Sequence, residues 1–233
     1  AFTLMSLRLS RQFGYITMLH SHSFYNPAID GFGDIWFPGE QYCAEIQKTG
    51  NPYYYTDSIS EDVYRSELNM HLKGSAIRFL GNLGRASKAM GTPEQTRAMC
   101  TPLLLNDVPI AIAFEDGATI NRIWKIQSDY QLDDAIVTYF YDKANPVAVD
   151  NEQVKATFYR CPGDRVLLIL GNMSPAAQDA QVDISALLTP GSQVTDLWNE
   201  QPLEVRDGRI QVSLPQRQFT IIGIDHAARS SQP

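Results

Sequence analysis

The sequence predicts an α/β region over residues 1–133, followed by an all-β antiparallel sandwich over residues 134–233. Two observations lead to this prediction. Helical and extended patterns alternate in the first region, which is typical of βα units. From about residue 135, short alternating apolar segments follow one another between turn signals, which is typical of antiparallel sheets.

The α/β region contains two predicted strands and five predicted helices. YITMLHS (15–21) and GDIWF (33–37) are short apolar runs separated by a loop rich in Gly and Pro. Thr92 precedes Pro93 and Glu94, and a hydroxyl, a proline and an acid in this order form a strong helix start. The predicted helices cover residues 2–13, 61–68, 75–86, 93–105 and 119–126.

The second region contains eight predicted strands, separated by turn signals such as KANP and CPGD. Val194, Asp196 and Trp198 alternate with Thr195 and Leu197, as expected for a strand with one buried face. The eight segments are AIVTYFY (135–141), QVKATFYR (153–160), RVLLILGN (165–172), AQVDISAL (180–187), SQVTDLW (192–198), PLEV (202–205), RIQVSL (209–214) and QFTIIGI (218–224).

The length of the α/β region limits the architectures that it can form. A complete eight-fold barrel typically needs about 250 residues, whereas residues 1–130 supply three or four βα units. The region is therefore either a small open α/β unit or the late part of a TIM-like βα-barrel. We favour the second interpretation, in which the chain is the C-terminal part of a larger protein.

Composition argues against two classes of partner. The net charge is −7 and the positive charges are scattered, which argues against nucleic acid. No apolar run reaches the roughly 20 residues of a membrane helix.

The three cysteines lie far apart without a CxxC motif, so we expect buried thiols. The compartment stays open, and a secreted or periplasmic location is compatible with these features.

The order of several motifs resembles the last third of glycoside hydrolases in which a βα-barrel ends in a C-terminal sandwich. The succession is HSHS, DIWFPGEQY, YRSELNMHLKG, TPLLLNDVPI and a sandwich that closes on QFTIIGID. The nearest likeness is to glycoside hydrolase family 123 and related uncharacterised families, which have a comparable D-x-x-x-x-GE segment late in the barrel. The resemblance implies a carbohydrate-active enzyme, an oligo- or polysaccharide substrate and no cofactor.

The family's catalytic pair is expected outside this chain. Family 123 is held to use an adjacent Asp-Glu pair on a mid-barrel strand, with the substrate's acetamido group as nucleophile. The adjacent pairs of one Glu and one Asp here are Glu61-Asp62 and Glu115-Asp116, and we expect both at helix starts rather than after a barrel strand. The resemblance therefore implies that the main pair lies upstream of Ala1, that the partner is the N-terminal part of the same barrel, and that this chain alone is inactive.

Asp34 and Glu40 are the candidate catalytic acids. They lie in and just after GDIWF, and barrel active sites form at the carboxyl ends of strands and in the following loops. Glycoside hydrolysis needs two carboxylates, one of them held protonated by its surroundings. The simpler interpretation is that Glu40 caps a turn and Asp34 caps the start of the strand.

His20 and His22 are one residue apart, so on a strand their side chains share a face. They could contact sugar hydroxyls or pack in a polar loop. They could also bind a metal, as His-x-His pairs do in barrel amidohydrolases. Zinc needs three or four ligands, and only His71 and His226 remain, so no metal is expected.

Further candidates for substrate binding lie close by in the sequence. Aromatic faces can stack on the apolar faces of sugar rings, although core packing explains any single one of them. Trp36, Tyr42, Tyr64, Arg65 and Asn69 complete the predicted binding set. No GxSxG elbow and no P-loop occurs.

Three functions therefore remain after the sequence analysis. The favoured one is a glycoside hydrolase fragment that contributes late-barrel loops to the active site. The first alternative is a non-catalytic carbohydrate-binding or structural module. The second is a metal-dependent amidohydrolase that uses His20 and His22.

Overall fold

The computed structural model describes residues 9–20, 33–69, 76–84 and 91–226. The chain forms two compact units, Ala1–Ile120 and Asn121–Pro233. This division falls inside a helix, so the predicted domain limits at residues 133 and 134 stay a prediction. In the described part of the chain, no helix combines the length and the apolar character that crossing a membrane requires.

A short parallel sheet organises the first unit. Its strands are β1 (Met18–His20), β2 (Ile35–Phe37) and β3 (Ala76–Ile77), in the order β1-β2-β3. β2 pairs in parallel with both neighbours, and an isolated parallel bridge between Phe79 and Ile110 extends the arrangement to a fourth chain segment. Because all these segments run in the same direction, the residues that follow them lie at one edge of the sheet.

Helices follow β2 and the segments after it, as in a βα arrangement. After a helical segment at residues 9–13, the α-helices are α1 (Cys43–Thr49), α2 (Tyr54–Asp57), α3 (Glu61–Val63), α4 (Pro93–Leu105) and α5 (Gly117–Asp129). A 3-10 turn at Glu40–Tyr42 precedes α1, and a π-helix at Tyr64–Leu68 follows α3. Helix α4 begins with a complete capping box between Thr92 and Gln95, which confirms the predicted helix start.

The predicted helix over residues 75–86 is wrong, because the described part of this segment contains β3. Ile77 and Phe79 are buried and Arg78 between them is exposed, which is the two-residue alternation of a strand. A short apolar run fits both periods, and pairing with β2 decides between them here.

The second unit contains two antiparallel sheets. Their strands are β4 (Ile136–Thr138), β5 (Ala148–Val149), β6 (Val154–Cys161), β7 (Arg165–Asn172), β8 (Gln178–Asp183), β9 (Gln193–Asp196), β10 (Gln201–Pro202), β11 (Arg209–Leu214) and β12 (Phe219–Asp225). One sheet has the order β10-β9-β12-β7-β6-β4 and the other has the order β11-β8-β5.

The two sheets share a hydrophobic core. It includes Phe158 and Leu168 from the larger sheet and Val182 and Ile210 from the smaller one. In β11, buried residues alternate strictly with exposed residues, as expected for a strand that packs on one face. The predicted antiparallel sandwich is confirmed.

Truncating the sandwich core tests this packing. Leu168 is fully buried, so Leu168→Ala should lower the free energy of unfolding by about 2–5 kcal/mol. Gln211, on the exposed side of β11, is the control, and Gln211→Ala should cost less than about 1 kcal/mol. Urea titration of the three proteins measures both values, and similar losses for the two variants would contradict this core.

Candidate active site

The candidate site is formed where β1 and β2 end. His20 is the last residue of β1, and Glu40 follows β2 after a Pro38-Gly39 turn. The Nε2 atom of His20 lies 2.9 Å from the Oε2 atom of Glu40. Gly39 has φ 126°, a value that side chains other than hydrogen rarely tolerate. The glycine therefore allows the turn that brings the carboxylate to the imidazole.

The two partners differ in their exposure to solvent. The Glu40 side chain is 14% exposed, whereas the His20 side chain is 46% exposed. A sheltered carboxylate that accepts a hydrogen bond from Nε2 orients the imidazole, which in turn can hold or pass a proton. The arrangement suits acid–base chemistry or the binding of hydroxyl groups at the sheet edge.

Asp34 lies at the opposite end of β2. Its Oδ2 atom accepts a hydrogen bond from the Thr17 N–H at 2.7 Å, and its carbonyl accepts one from the Ala76 N–H at 2.9 Å. Asp34 precedes the strand and Glu40 follows it, so the strand separates them by roughly 10 Å at about 3.3 Å per residue. The structure does not bring these two carboxylates together, and the contacts of Asp34 connect neighbouring strands.

The three aromatic candidates are enclosed by protein. Trp36, Tyr42 and Tyr64 are all buried, and the Tyr64 hydroxyl donates to the Tyr55 carbonyl at 2.6 Å. Stacking on a sugar requires an open ring face. These side chains therefore pack in the core of the first unit, behind the strand ends.

The other predicted site residues have varied positions. Arg65 pairs with Glu61 one helical turn earlier, at 2.8 Å, and Asn69 is buried directly after the π-helix. His22 lies outside the described residues, so its pairing with His20 stays a prediction. Within the described ranges, no group of three His, Cys, Asp or Glu side chains is placed to hold a metal ion.

Tyr55 connects the two loops that follow β2 and β3. Its buried hydroxyl accepts a hydrogen bond from the Asn82 N–H at 2.8 Å and lies 3.5 Å from the Gly39 carbonyl, to which it donates. Burial raises the pKa of the Tyr55 hydroxyl well above its usual value, so the group stays protonated. The Tyr53–Tyr55 run signals a dense aromatic cluster near the candidate acids, but no local pattern in the sequence indicates that Tyr55 connects these loops.

Glu115 is a buried acid beyond the parallel bridge of Ile110. Its Oε2 atom accepts hydrogen bonds from the Ala113 and Phe114 N–H groups at 2.7 and 2.9 Å. Burial raises the pKa of Glu115, and these backbone donors oppose the shift in part. Five residues before it, Ile110 makes an isolated parallel bridge with Phe79, which lies outside the named strands.

Asp116, the second member of this acidic pair, has a structural contact. Its Oδ2 atom accepts a hydrogen bond from the Thr119 N–H at 2.8 Å, at the start of α5. An acid in this position caps the helix and favourably opposes its dipole. The helix start that the sequence predicts for this pair is confirmed.

Residues 119–195 match the family model described as the C-terminal domain of glycoside hydrolase 123. The resemblance to glycoside hydrolase family 123 is confirmed for this part of the chain. The matched residues cover α5 and the sandwich strands β4–β9. No curated protein sequence gives a significant match.

Solved glycoside hydrolases share the fold of the chain. It is similar to the maltogenic α-amylase AmyB from Thermotoga neapolitana, with 12% identity and a TM-score of 0.59 over 97% of this chain and 58% of that one. The β-L-arabinopyranosidase from Geobacillus stearothermophilus gives 11% identity and a TM-score of 0.54 over 99% and 55% of the two chains.

α-Galactosidase I from Mortierella vinacea extends this comparison to a third enzyme. It gives 12% identity and a TM-score of 0.53 over 97% of this chain and 62% of that one. The chain thus spans a little over half the length of each of the three solved enzymes. Identities this low show a common fold and say nothing about a shared substrate.

The raised pKa of Glu115 predicts a pH-dependent stability. Above the ordinary glutamate pKa of about 4.3, the folded chain holds a proton that the unfolded chain has lost, so stability falls as the pH rises through the window below the raised pKa. Glu115→Gln cannot ionise. We therefore expect the thermal midpoint of Glu115→Gln to rise relative to that of the wild type as the pH increases.

Thermal unfolding between about pH 4 and about pH 8 measures this effect. Glu45→Gln, which changes an exposed acid on α1, is the control and should follow the wild type. A constant difference between Glu115→Gln and the wild type across the series would contradict the prediction.

Proposed function

We propose that the chain is the C-terminal part of a βα-barrel glycoside hydrolase and supplies late-barrel loops to its sugar site. The observation that carries this proposal is the contact between Glu40 and His20 at the carboxyl edge of a parallel sheet. In βα-barrel enzymes the active site lies at this edge. The family match in the second unit supports the same assignment.

Glu40 is the proposed carboxylate of the site, and His20 is its partner. Glycoside hydrolysis uses two carboxylates on either side of the scissile bond. Glu40 would provide one of them or would accept hydrogen bonds from sugar hydroxyls. Asp34, at the far end of β2, is better suited to support the sheet, and the second carboxylate would come from the rest of the barrel.

The free edge of β1 supports a larger barrel. β1 pairs only with β2 among the described strands, and Tyr15, Ile16 and Met18 on and before it are exposed large apolar residues. Parallel sheets are normally covered on both faces and continued at their edges. We therefore propose that this edge pairs with a strand from the N-terminal part of the same enzyme.

Substitution of Glu40 tests the catalytic proposal. In the complete natural polypeptide, Glu40→Gln should lower kcat/KM on an alkyl glycoside by about 100-fold or more, because an alkoxide leaving group needs a proton and general acid–base catalysis contributes 10²–10⁴-fold. The control is Glu45→Gln, five residues further on in an exposed position, which should retain wild-type kinetics. Wild-type kinetics in Glu40→Gln would refute the assignment.

Substitution of Met18 tests whether the N-terminal part of the enzyme covers β1. Met18 is 59% exposed in this chain, so Met18→Lys should leave its stability nearly unchanged. In the complete polypeptide the same change should lower the free energy of unfolding by at least about 2 kcal/mol, because it would bury an unpaired charge. Ile136→Lys, at a position 71% exposed in the second unit, is the control. Equal losses of unfolding free energy for Met18→Lys and Ile136→Lys in the complete polypeptide would contradict the proposal that a further strand covers β1.

A further inference from the structure

Asn82 has a buried side chain whose polar atoms make no hydrogen bond. The residue is only 1% exposed, and neither Oδ1 nor Nδ2 has a partner among the described residues. Its backbone N–H, by contrast, donates to the Tyr55 hydroxyl. Most buried polar atoms in proteins have a partner, so an amide with both ends unpaired indicates a missing ligand atom or water.

The backbone places Asn82 at the same sheet edge as the Glu40 turn. The Leu80 N–H donates to the Pro38 carbonyl at 2.7 Å. Gly39 packs so closely on the Leu80 carbonyl that a Cβ atom would not fit there. The loops after β2 and β3 therefore run in direct contact, one carrying Glu40 and the other Asn82.

Tyr55 fixes the relative position of these two loops. Its hydroxyl accepts from Asn82 and donates to Gly39, the residue before Glu40. The ring is buried and packs edge-on against Phe79 with their centroids 5.3 Å apart. An amide held by such a rigid scaffold is preorganised for a ligand, which lowers the entropic cost of binding.

A second buried atom without a partner lies against Gly81, the residue before Asn82 in the chain. This atom is Oε1 of Glu115, which makes no hydrogen bond among the described residues. A Cβ atom at Gly81 would collide with it, so the glycine leaves room for the carboxyl group. The Gly81-Asn82 segment thus adjoins two buried polar groups without partners, the Asn82 amide and the Glu115 Oε1 atom.

We propose that Asn82 is a substrate-contacting residue whose side-chain amide hydrogen-bonds a sugar hydroxyl at the floor of the Glu40 site. An asparagine amide offers one acceptor oxygen and one donor nitrogen side by side. A sugar hydroxyl, which both donates and accepts, or two neighbouring hydroxyls can satisfy both ends. The inference rests on the proposed glycosidase function and adds to it a residue that determines specificity.

Kinetics of Asn82 variants in the complete polypeptide test the inference. Asn82→Ala should lower kcat/KM on the same alkyl glycoside by about ten-fold, as expected for the loss of one or two hydrogen bonds to a neutral group. Asn106→Ala is the matched control, since Asn106 is equally buried and its Oδ1 atom also lacks a partner, but its Nδ2 atom donates to the Pro102 carbonyl at the end of α4. It should lower stability and leave kcat/KM unchanged.

Monodeoxy substrates separate a direct contact from a structural effect. Asn82→Ala should leave kcat/KM unchanged for the one analogue that lacks the contacted hydroxyl, and should lower kcat/KM for the other analogues. An equal penalty on every analogue, or no penalty at all, would overturn the inference. If Asn82→Ala does not fold, the nearly isosteric Asn82→Asp replaces it and should show the same dependence on the analogue.

The Glu40 variant distinguishes the two possible failures. If Glu40→Gln is impaired and Asn82→Ala is not, only the inference about Asn82 fails. If both variants keep wild-type kinetics, the proposed site itself is refuted. A decrease in kcat/KM for Asn82→Ala that depends on one substrate hydroxyl supports both the proposed site and the inference about Asn82.

Discussion

Parallel pairing of β2 with both β1 and β3 is the constraint on which the candidate site depends. Strands that run in the same direction end at the same edge, so His20, Glu40 and Asn82 converge although long connections separate them in sequence. A register shift by one residue would turn the side chains of a strand to the other face. The contact between His20 and Glu40 therefore exists only in this register.

Close packing behind the edge makes the arrangement rigid. Gly39 contacts the backbone of Leu80 directly, and the buried Tyr55 hydroxyl connects the loops that follow β2 and β3. Since the hydroxyl is out of contact with water, its hydrogen bonds are stronger than they would be at the surface. The enclosed aromatic residues of this unit, which include Trp36 and Tyr64, add to this packing.

The family match and the candidate site come from different parts of the chain. The match covers residues 119–195, which are mainly sandwich strands, whereas Glu40 and Asn82 belong to the first unit. The family match alone, which concerns mainly the sandwich, would equally fit the alternative of a carbohydrate-binding or structural module. The parallel sheet, its sheltered Glu40 and the unpaired amide of Asn82 are the reasons to favour an enzyme.

Local patterns in the sequence determined much of the fold. Alternating apolar residues and turn signals predicted the sandwich, and Thr92-Pro93 predicted the start of α4, because these signals act within a few residues. The sequence also selected Glu40 and His20. Only the tertiary structure decided that residues 76–77 form a strand, that Trp36 is buried, and that Tyr55 supports Asn82. Each of these depends on which segments pair and in which register, and pairing between distant segments leaves no local pattern to read.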